Sequence, residues 1–483
     1  MNAPTGAIEG LQRSAFARGQ SLAQLWETGA FEFVTIWFTD LSGRWMRLSW
    51  PREAMNYQKL VGGIHSSVLA SHWRDATNCD YLFKADADTA FIDPCEASPT
   101  LSLIANVWEP DGSGQYARDP RGVLLRAIKQ LERVASGCLC KVGPELEFYI
   151  FDEVRYKLGQ FETYVRLIEA ESSSNSERTQ SAHNRGYVLG HSSLHLSPTS
   201  DYTAPTREAI LRNLAAVGLS PLHNFHEAGP AQAEIGISHL EALRAADAIQ
   251  LYKRVARATA TKLGQLVTFM PAPIPFAPGS GLHFHLSIWS EGVNLFSGSG
   301  LGGMSETAMH AIAGVMKYSK ALCAFLTPSH NSFCRLSHAF NPIRDVEFGV
   351  SNRRIPIRIP PALEPNEARI ELRFPDASCN PYLALASIIV AMVAGIEQRL
   401  EPGAPAVNNA PGFLGDVRNR AKNGLPRDLE EALLELDKVK DVFLRDDVFS
   451  EEMLNAHIEL LSRRALFRAT RGHPADYAEC LDC

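Results

Sequence analysis

The chain lacks any apolar run long enough to cross a bilayer. Its longest, about Tyr382 to Ile396, falls short of the ~20 residues a membrane helix requires and reads as a buried helix. It lacks a basic excess as well. Its 47 Lys and Arg stand against 54 Asp and Glu, a formal net charge of −7, which leaves no electrostatic footprint for nucleic acid or an anionic membrane. Cysteine is sparse, with nine in 483 residues. Neither Cys138-x-Cys140 nor Cys480-x-x-Cys483 has a second cysteine or histidine pair at zinc spacing, so reduced structural thiols in a cytoplasmic protein are expected. The segment Met1–Gly6 has neither the basic region nor the apolar core of a signal peptide. Internal repeats and long low-complexity tracts are missing too.

What is present describes a globular enzyme. A length of 483 residues exceeds one ordinary core and predicts two domains. With 45% hydrophobic and 21% charged residues, disordered and fibrous classes are excluded. An amphipathic helix is expected over 8–28. A β-hairpin follows from Phe31 to Trp50, turning at Ser42-Gly43 with Asp40 at its tip, where an Asp usually hydrogen-bonds the turn backbone. The turn-rich Glu109–Gly114 marks a break, giving domains 1–116 and 117–483. Asp119 as N-cap and Pro120 at the first position open a helix. A Ser-rich loop follows at 171–185, then a helix from Thr206 to Val217 closed by Gly218. A capping box, Ser238 with Glu241, opens a helix that ends at Gly264. Further helices are expected near 305–327, 380–398, 428–440 and 450–465, with strands between them. The mixture lacks the regular alternation of a parallel doubly wound sheet, so the class is α+β.

Four stretches carry the chemistry. Gly143-Pro144-Glu145-Leu146-Glu147-Phe148 reads as a strand with Glu145 and Glu147 on one face. A divalent cation between two such acids would relieve their repulsion, although a lone E-x-E is more often a wet acidic face. In Gly279-Ser280-Gly281-Leu282-His283-Phe284-His285-Leu286-Ser287-Ile288 a flexible turn feeds a period-two strand, with His283, His285 and Ser287 on one face. Glu227 and Glu234 flank the tight Ala228-Gly229-Pro230 turn. Arg335, Arg353, Arg354 and Arg358 lead to Arg369-Ile370-Glu371-Leu372-Arg373, whose guanidinium groups suit carboxylates and phosphates. Five acids and an imidazole for cations, with arginines for anions, favour Mg²⁺ or Mn²⁺ over Zn²⁺ and phosphoryl transfer as the reaction class.

In this order the motifs resemble the glutamine synthetase family, type I. They run from Gly143–Phe148 through His226-Glu227 to Gln232-x-Glu234, and on through Phe269-Met270-Pro271 to Gly279–Ser287. Asn331-Ser332 to Arg335-Leu336, Asn352-Arg353 to Arg358-Ile359-Pro360, and Glu371 to Asn380-Pro381-Tyr382-Leu383 complete them. The resemblance implies a β-grasp N-terminal domain, a catalytic domain with a curved antiparallel sheet and flanking helices, and a dodecamer with sites between neighbouring subunits. It implies one metal on Glu147, Glu227 and Glu234, and another on Glu145, His283 and Glu371. ATP would meet His285, Ser287, Arg358 and Arg353, the last also stabilising the transferring phosphoryl group. Glutamate would meet Gly279, Arg335 and Arg373. Asp40 would reach a neighbour's site and deprotonate the amine, beside Glu227.

The departures from the family pattern gather on the amine side. A flap acid of ammonia-using members becomes Asn341, beside Phe340, and a tyrosine position falls on Leu194. Pro278 and Ala272 replace an Asn and a Lys, and the tyrosine adenylylated in some members is not found in Pro402–Gly415. Leu and Asn neither attract nor deprotonate ammonium well. The expectation is therefore a γ-glutamylamide synthetase that joins glutamate to a substituted, apolar amine, an arylamine or alkylamine, at the expense of ATP. Alternatives are ordinary glutamine synthesis, a γ-glutamylpolyamine synthetase and a non-catalytic family member.

Overall fold

The alternating stretch near the N-terminus forms the predicted hairpin: β1 (Phe33–Thr39) pairs antiparallel with β2 (Trp45–Pro51). Gly43 turns between them with φ 89°, a conformation that side chains disfavour. The computed structural model describes residues 21–70, 72–169, 194–197, 200–275, 277–337, 343, 345–406, 424–469 and 474–482. With β3 (Ile64–Ser67), β4 (Asp80–Ile92) and β5 (Thr100–Trp108), the hairpin makes a sheet of order β2-β1-β5-β4-β3. The β1–β5 pair is parallel and the others antiparallel. Helices α1 (Leu22–Thr28) and α2 (Tyr57–Gly62) pack on β4, completing the β-grasp domain.

The second unit opens with α3 (Pro120–Gln130), capped by Asp119 as the sequence predicts. Its sheet is built on β6 (Leu139–Phe151), the strand that holds the E-x-E. Beside it come β7 (Glu153–Leu158) and β8 (Thr163–Ile168), a separate hairpin, then α4 (Ala204–Ala216), β9 (Pro221–His226) and β10 (Gln232–Ile237). There follow β11 (Leu240–Glu241), α5 (Ala242–Lys262), β12 (Leu266–Thr268), β13 (Leu282–Ser290) and β14 (Val293–Asn294). Next are α6 (Glu306–Leu326), α7 (His330–Ser337), β15 (Phe348–Val350), β16 (Ile357–Ile359) and β17 (Ile370–Leu372). The chain closes with α8 (Pro381–Glu397), α9 (Leu429–Leu444), α10 (Glu451–Ala469) and α11 (Ala475–Cys480). The sheet order is β15-β16-β17-β13-β6-β10-β9, with β11 and β12 also on β6 and β14 on β13. All its pairs are antiparallel except β15–β16.

Alternation explains which face is which. Leu146, Phe148 and Ile150 of β6 are buried toward α5, which leaves Glu145 and Glu147 on the opposite face. Behind the helical layer, α8 is the apolar run Tyr382–Ile396, buried almost throughout. It lies against α6 so closely that a Cβ on Gly314 would stand 2.1 Å from the Ala391 carbonyl oxygen. Among the described residues, no helix is long and apolar enough to cross a membrane.

Some expectations shift. The capping box Ser238/Glu241 does not open a helix. Leu240 and Glu241 instead pair with Val142 and Lys141 of β6, and α5 starts at Ala242. Ladder bonds to the central strand hold these residues extended, which a helical first turn would forfeit. Helix α4 begins at Ala204, two residues early, with Pro205 in its first turn. Of the helix expected over 8–28, residues 8–20 lie outside the described residues, as does the Ser-rich loop 171–185.

The two units are joined by a buried ion network. Arg121 of α3 donates from Nε and Nη2 to both carboxylate oxygens of Asp247 on α5, at 2.9 Å each. It also reaches Asp86 on β4 and Asn106 on β5, each at 2.6 Å. Tyr382 of α8 donates to Asp247 at 2.7 Å. Nearby, Gln250 of α5 donates to Thr39 Oγ1 and the Gly43 carbonyl, tying down the hairpin.

Candidate active site

The register of the second sheet gathers the sequence's acids, imidazoles and arginines. Antiparallel pairing sets Glu234 on β10 opposite Glu147 on β6, and Glu145 opposite His283 on β13. His285 on β13 stands opposite Glu371 on β17, and Glu371 opposite Arg358 on β16. Directly opposed residues share a face, so one stripe of side chains crosses five strands. Glu227 joins it from just beyond the end of β9.

Two groups form within the stripe. Glu147, Glu227 and Glu234 have oxygens mutually within 4.8 Å, as do the donor atoms of Glu145, His285 and Glu371. The resemblance put His283 in the second set. His283 stands between the groups, Nδ1 3.4 Å from Glu145 and 4.0 Å from Glu371, and Nε2 3.7 Å from Glu147. His285 is nearer to Glu145, at 2.9 Å.

Electrostatics separates the groups. Burial foremost, then the charges of Glu147 and Glu234, pushes the Glu227 carboxyl up to about 8. Burial, then Glu145 and Glu147, raises Glu234 well above the usual carboxylate range. Burial also works against charge on Glu145 and Glu371. Hydrogen bonds from His283 and His285 nevertheless hold Glu145 far below that range, and Arg373, the two histidines and Arg358 hold Glu371 down to about 2. The Glu371 carboxylate already has cations, with Arg358 Nη1 at 2.5 Å and Arg373 on its other oxygen. The Glu147/Glu227/Glu234 group gathers three carboxyl groups in a buried site that opposes their ionisation, the condition a hard divalent cation relieves.

The loops are pinned by polar side chains. Gly281 N–H donates to Glu147 Oε2 at 2.7 Å. Gln232 accepts from Gly229 N–H at 3.0 Å and donates to the Gly279 carbonyl and Ser280 Oγ, each at 3.2 Å, joining the two glycine turns. Tyr149 donates to the Pro278 carbonyl at 2.6 Å. A Cβ on Gly143 would stand 2.1 Å from the ring of His239, which stacks 6.1 Å from His285. The glycine of the E-x-E motif thus admits a second imidazole, which sequence reasoning missed. It also missed His223, 3.1 Å from Glu234, although His223, Phe225 and Glu227 alternate on one strand face.

Several other expected residues have local hydrogen-bond partners. Asp40 is buried, and its carboxylate accepts from Ser42 Oγ at 2.6 Å and Arg44 N–H at 3.0 Å. It holds its own hairpin turn, the ordinary task of an Asp there. Arg335 is buried with its Nη groups donating to the carbonyls of Arg373, Phe374 and Pro375 at 2.8–3.1 Å. Those donors position the end of β17. Ser287 is buried and accepts from Trp289 Nε1 at 2.8 Å. Arg353 is exposed, its carbonyl accepting from Arg373 Nε at 3.0 Å. Leu194 is 48% exposed, and next to it His195 donates its N–H to the His226 carbonyl at 3.0 Å. Phe340 and Asn341 lie outside the described residues.

A β-grasp domain joined to a curled mixed sheet with helices defines the class. A family model described as the glutamine synthetase catalytic domain matches residues 117–477, and one described as the glutamine synthetase beta-grasp domain matches residues 30–110. The chain belongs to the glutamine synthetase family, the family of ATP-dependent carbon–nitrogen ligases, and resembles its type I members. A glutamine synthetase of Pseudomonas aeruginosa is 35% identical over 454 residues, 92% of this chain and 96% of that protein. A 3-hydroxylaminophenol mutase of Cupriavidus pinatubonensis is 34% identical over 457 residues, 92% of this chain and 95% of that protein. Among solved structures, GmaS in complex with ADP superposes with a TM-score of 0.76 at 25% identity, covering 96% of this chain and 99% of that one.

Proposed function

We propose that this protein is a glutamate–amine ligase whose amine is substituted and apolar, an arylamine or alkylamine. Glutamate takes the terminal phosphoryl group of ATP to give γ-glutamyl phosphate and ADP. The amine nitrogen then attacks the activated carbonyl, phosphate leaves, and the amine proton passes to a base. The observation that carries the amine class is a wall of rings beside the acids. His195 packs 4.7 Å from Phe225, and His223 stacks on Phe225 at 5.4 Å, on the strand face that continues to Glu227. Leu194 adjoins this wall, and the sequence supplies Asn341 where ammonia-using members carry an acid. An aryl or alkyl group buries apolar area against such surfaces, and Asn341 offers ammonium no acid. A relative named for an aryl hydroxylamine supports an aromatic substrate.

Mostly oxygen donors fit Mg²⁺ or Mn²⁺ on Glu147, Glu227 and Glu234 and on Glu145, His283 and Glu371, with His285 in reach of the second set. Such cations, when bound, neutralise phosphate charge. Arg353 and Arg373 face the same region, their charges felt by Glu234. Asp40, reaching from a neighbouring subunit, and Glu227 are the acids assigned to the amine proton in this reading. The family assembly, a dodecamer with sites between subunits, belongs to this reading.

Phosphate release from ATP and glutamate, measured with ammonia, ethylamine, ethanolamine, putrescine and aniline, tests the reading. Aniline or ethylamine is expected to exceed ammonia at least about 10-fold in kcat/KM, and Phe225→Ala to narrow that margin by roughly 10-fold or more. Equal turnover of ammonia and the larger amines would instead favour glutamine synthesis, the activity named for the Pseudomonas relative.

A further inference from the structure

Away from the sheet, α7 and α11 bring together three side chains with a different donor chemistry. His330 and Cys334 lie one helical turn apart on α7, so they project from the same face. Asp476, in the first turn of α11, is buried against them. Their ligand atoms, one imidazole nitrogen, one thiol sulfur and one carboxylate oxygen, are mutually within 4.8 Å. Bonds of about 2.0–2.3 Å to a tetrahedral cation close such a span with small side-chain adjustments, leaving a fourth position for water.

We propose that His330, Cys334 and Asp476 form a second metal site, for one borderline-soft divalent cation of the Zn²⁺ class, separate from the oxygen-rich groups on the sheet. The thiolate sets the preference. Neither sheet group contains a cysteine, so Mg²⁺ and Mn²⁺ suit those groups while a sulfur, nitrogen and oxygen set draws Zn²⁺ or Co²⁺. The site's effect is structural. Tyr477, next to Asp476, donates to the Pro273 carbonyl, in the segment that leads into Gly279-Ser280-Gly281. Arg335, next to Cys334, holds the carbonyls that end β17. A cation joining α7 to α11 therefore braces the Pro273 segment and the end of β17 from behind.

The test is a Co²⁺ titration of the full-length, reduced, chelator-stripped protein, followed in the near-ultraviolet for thiolate-to-cobalt charge transfer. One equivalent is expected to produce the band, with Zn²⁺ displacing it and excess Mg²⁺ leaving it. Cys334→Ser should abolish the band, His330→Gln and Asp476→Asn should weaken binding by about 10-fold or more, and Glu234→Gln should not change it. Should Cys334→Ser fold poorly, alkylation of Cys334 in the wild-type chain gives the same answer, with Zn²⁺ expected to slow it. Absence of the band, its persistence in Cys334→Ser, or unchanged alkylation with Zn²⁺ would overturn the proposal.

Discussion

Replacing Glu234 with Gln is expected to lower glutamate-dependent ATP turnover on the order of 10³-fold while making the metal-free protein more stable, by roughly 1–2 kcal/mol. Both effects come from one cause. Glu234 stands opposite Glu147 in the sheet register and shares a buried site with Glu227, so without a cation the folded chain must hold protons there that the unfolded chain gives up. Gln keeps the shape and removes both the protonation cost of the metal-free state and the carboxylate the cation needs.

The same arrangement fixes a pH dependence. Glu227 and Glu234 have folded-state values raised above the ordinary 4.5, Glu227 to about 8. The metal-free native chain therefore holds more protons than the unfolded chain across that window, and its stability falls as pH rises from about 4.5 toward 8. Glu145 and Glu371 are lowered instead. Their contribution is fully present above about 4.5 and is lost only as pH falls below it, so it does not mask the slope. Calorimetric melting from about pH 5 to 8, with chelator and then with Mg²⁺, should show a decline that the cation removes and that Glu234→Gln flattens. A variant with full turnover, or with an unaltered slope, would remove Glu234 from this role.

Arg121→Met is expected to destabilise the fold by about 3–5 kcal/mol, the cost of leaving a buried carboxylate without its cation. Asp247 is fully buried and takes two guanidinium bonds from Arg121, which also grips Asp86 and Asn106 of the first sheet. Arg244, 3.1 Å from Asp247, remains as partial compensation. Urea unfolding at fixed protein concentration measures the loss, with Arg463→Met as control. Arg463 pairs with Glu459 on an exposed helix face, with side-chain exposures of 69% and 56%, and its loss should cost under about 1 kcal/mol. Equal losses for both variants would show that the network does not bind the two units together.

Much of this protein is legible along the chain because its signals are local. The alternating runs read at Phe31–Trp50, Gly143–Phe148 and Leu282–Ile288 fall on strands, and Asp119-Pro120 starts a helix, because each pattern matches the geometry of a local element. The apolar run of α8 announces a buried helix for the same reason. Local signals fail where a neighbour outweighs them. Ser238 and Glu241 satisfy a capping pattern, yet β6 offers Leu240 and Glu241 a ladder that the sequence does not display.

The site divides in the same way. Sequence alone determined which residue types are available: the E-x-E, the H-x-H, the acids around Ala228-Gly229-Pro230 and the arginines, in the order that resembles the glutamine synthetase family. Tertiary structure decided which of them meet. Strand register places Glu234 on Glu147 and Glu371 on His285, and a slip of one residue would turn each to the other face. It also enclosed Asp40 and engaged Arg335 with backbone carbonyls, and it brought His239, His223 and the His330–Cys334–Asp476 group together from distant segments. Identity and alternation are properties of the chain, whereas burial, register and the pKa shifts they cause exist only after distant strands pair and exclude water.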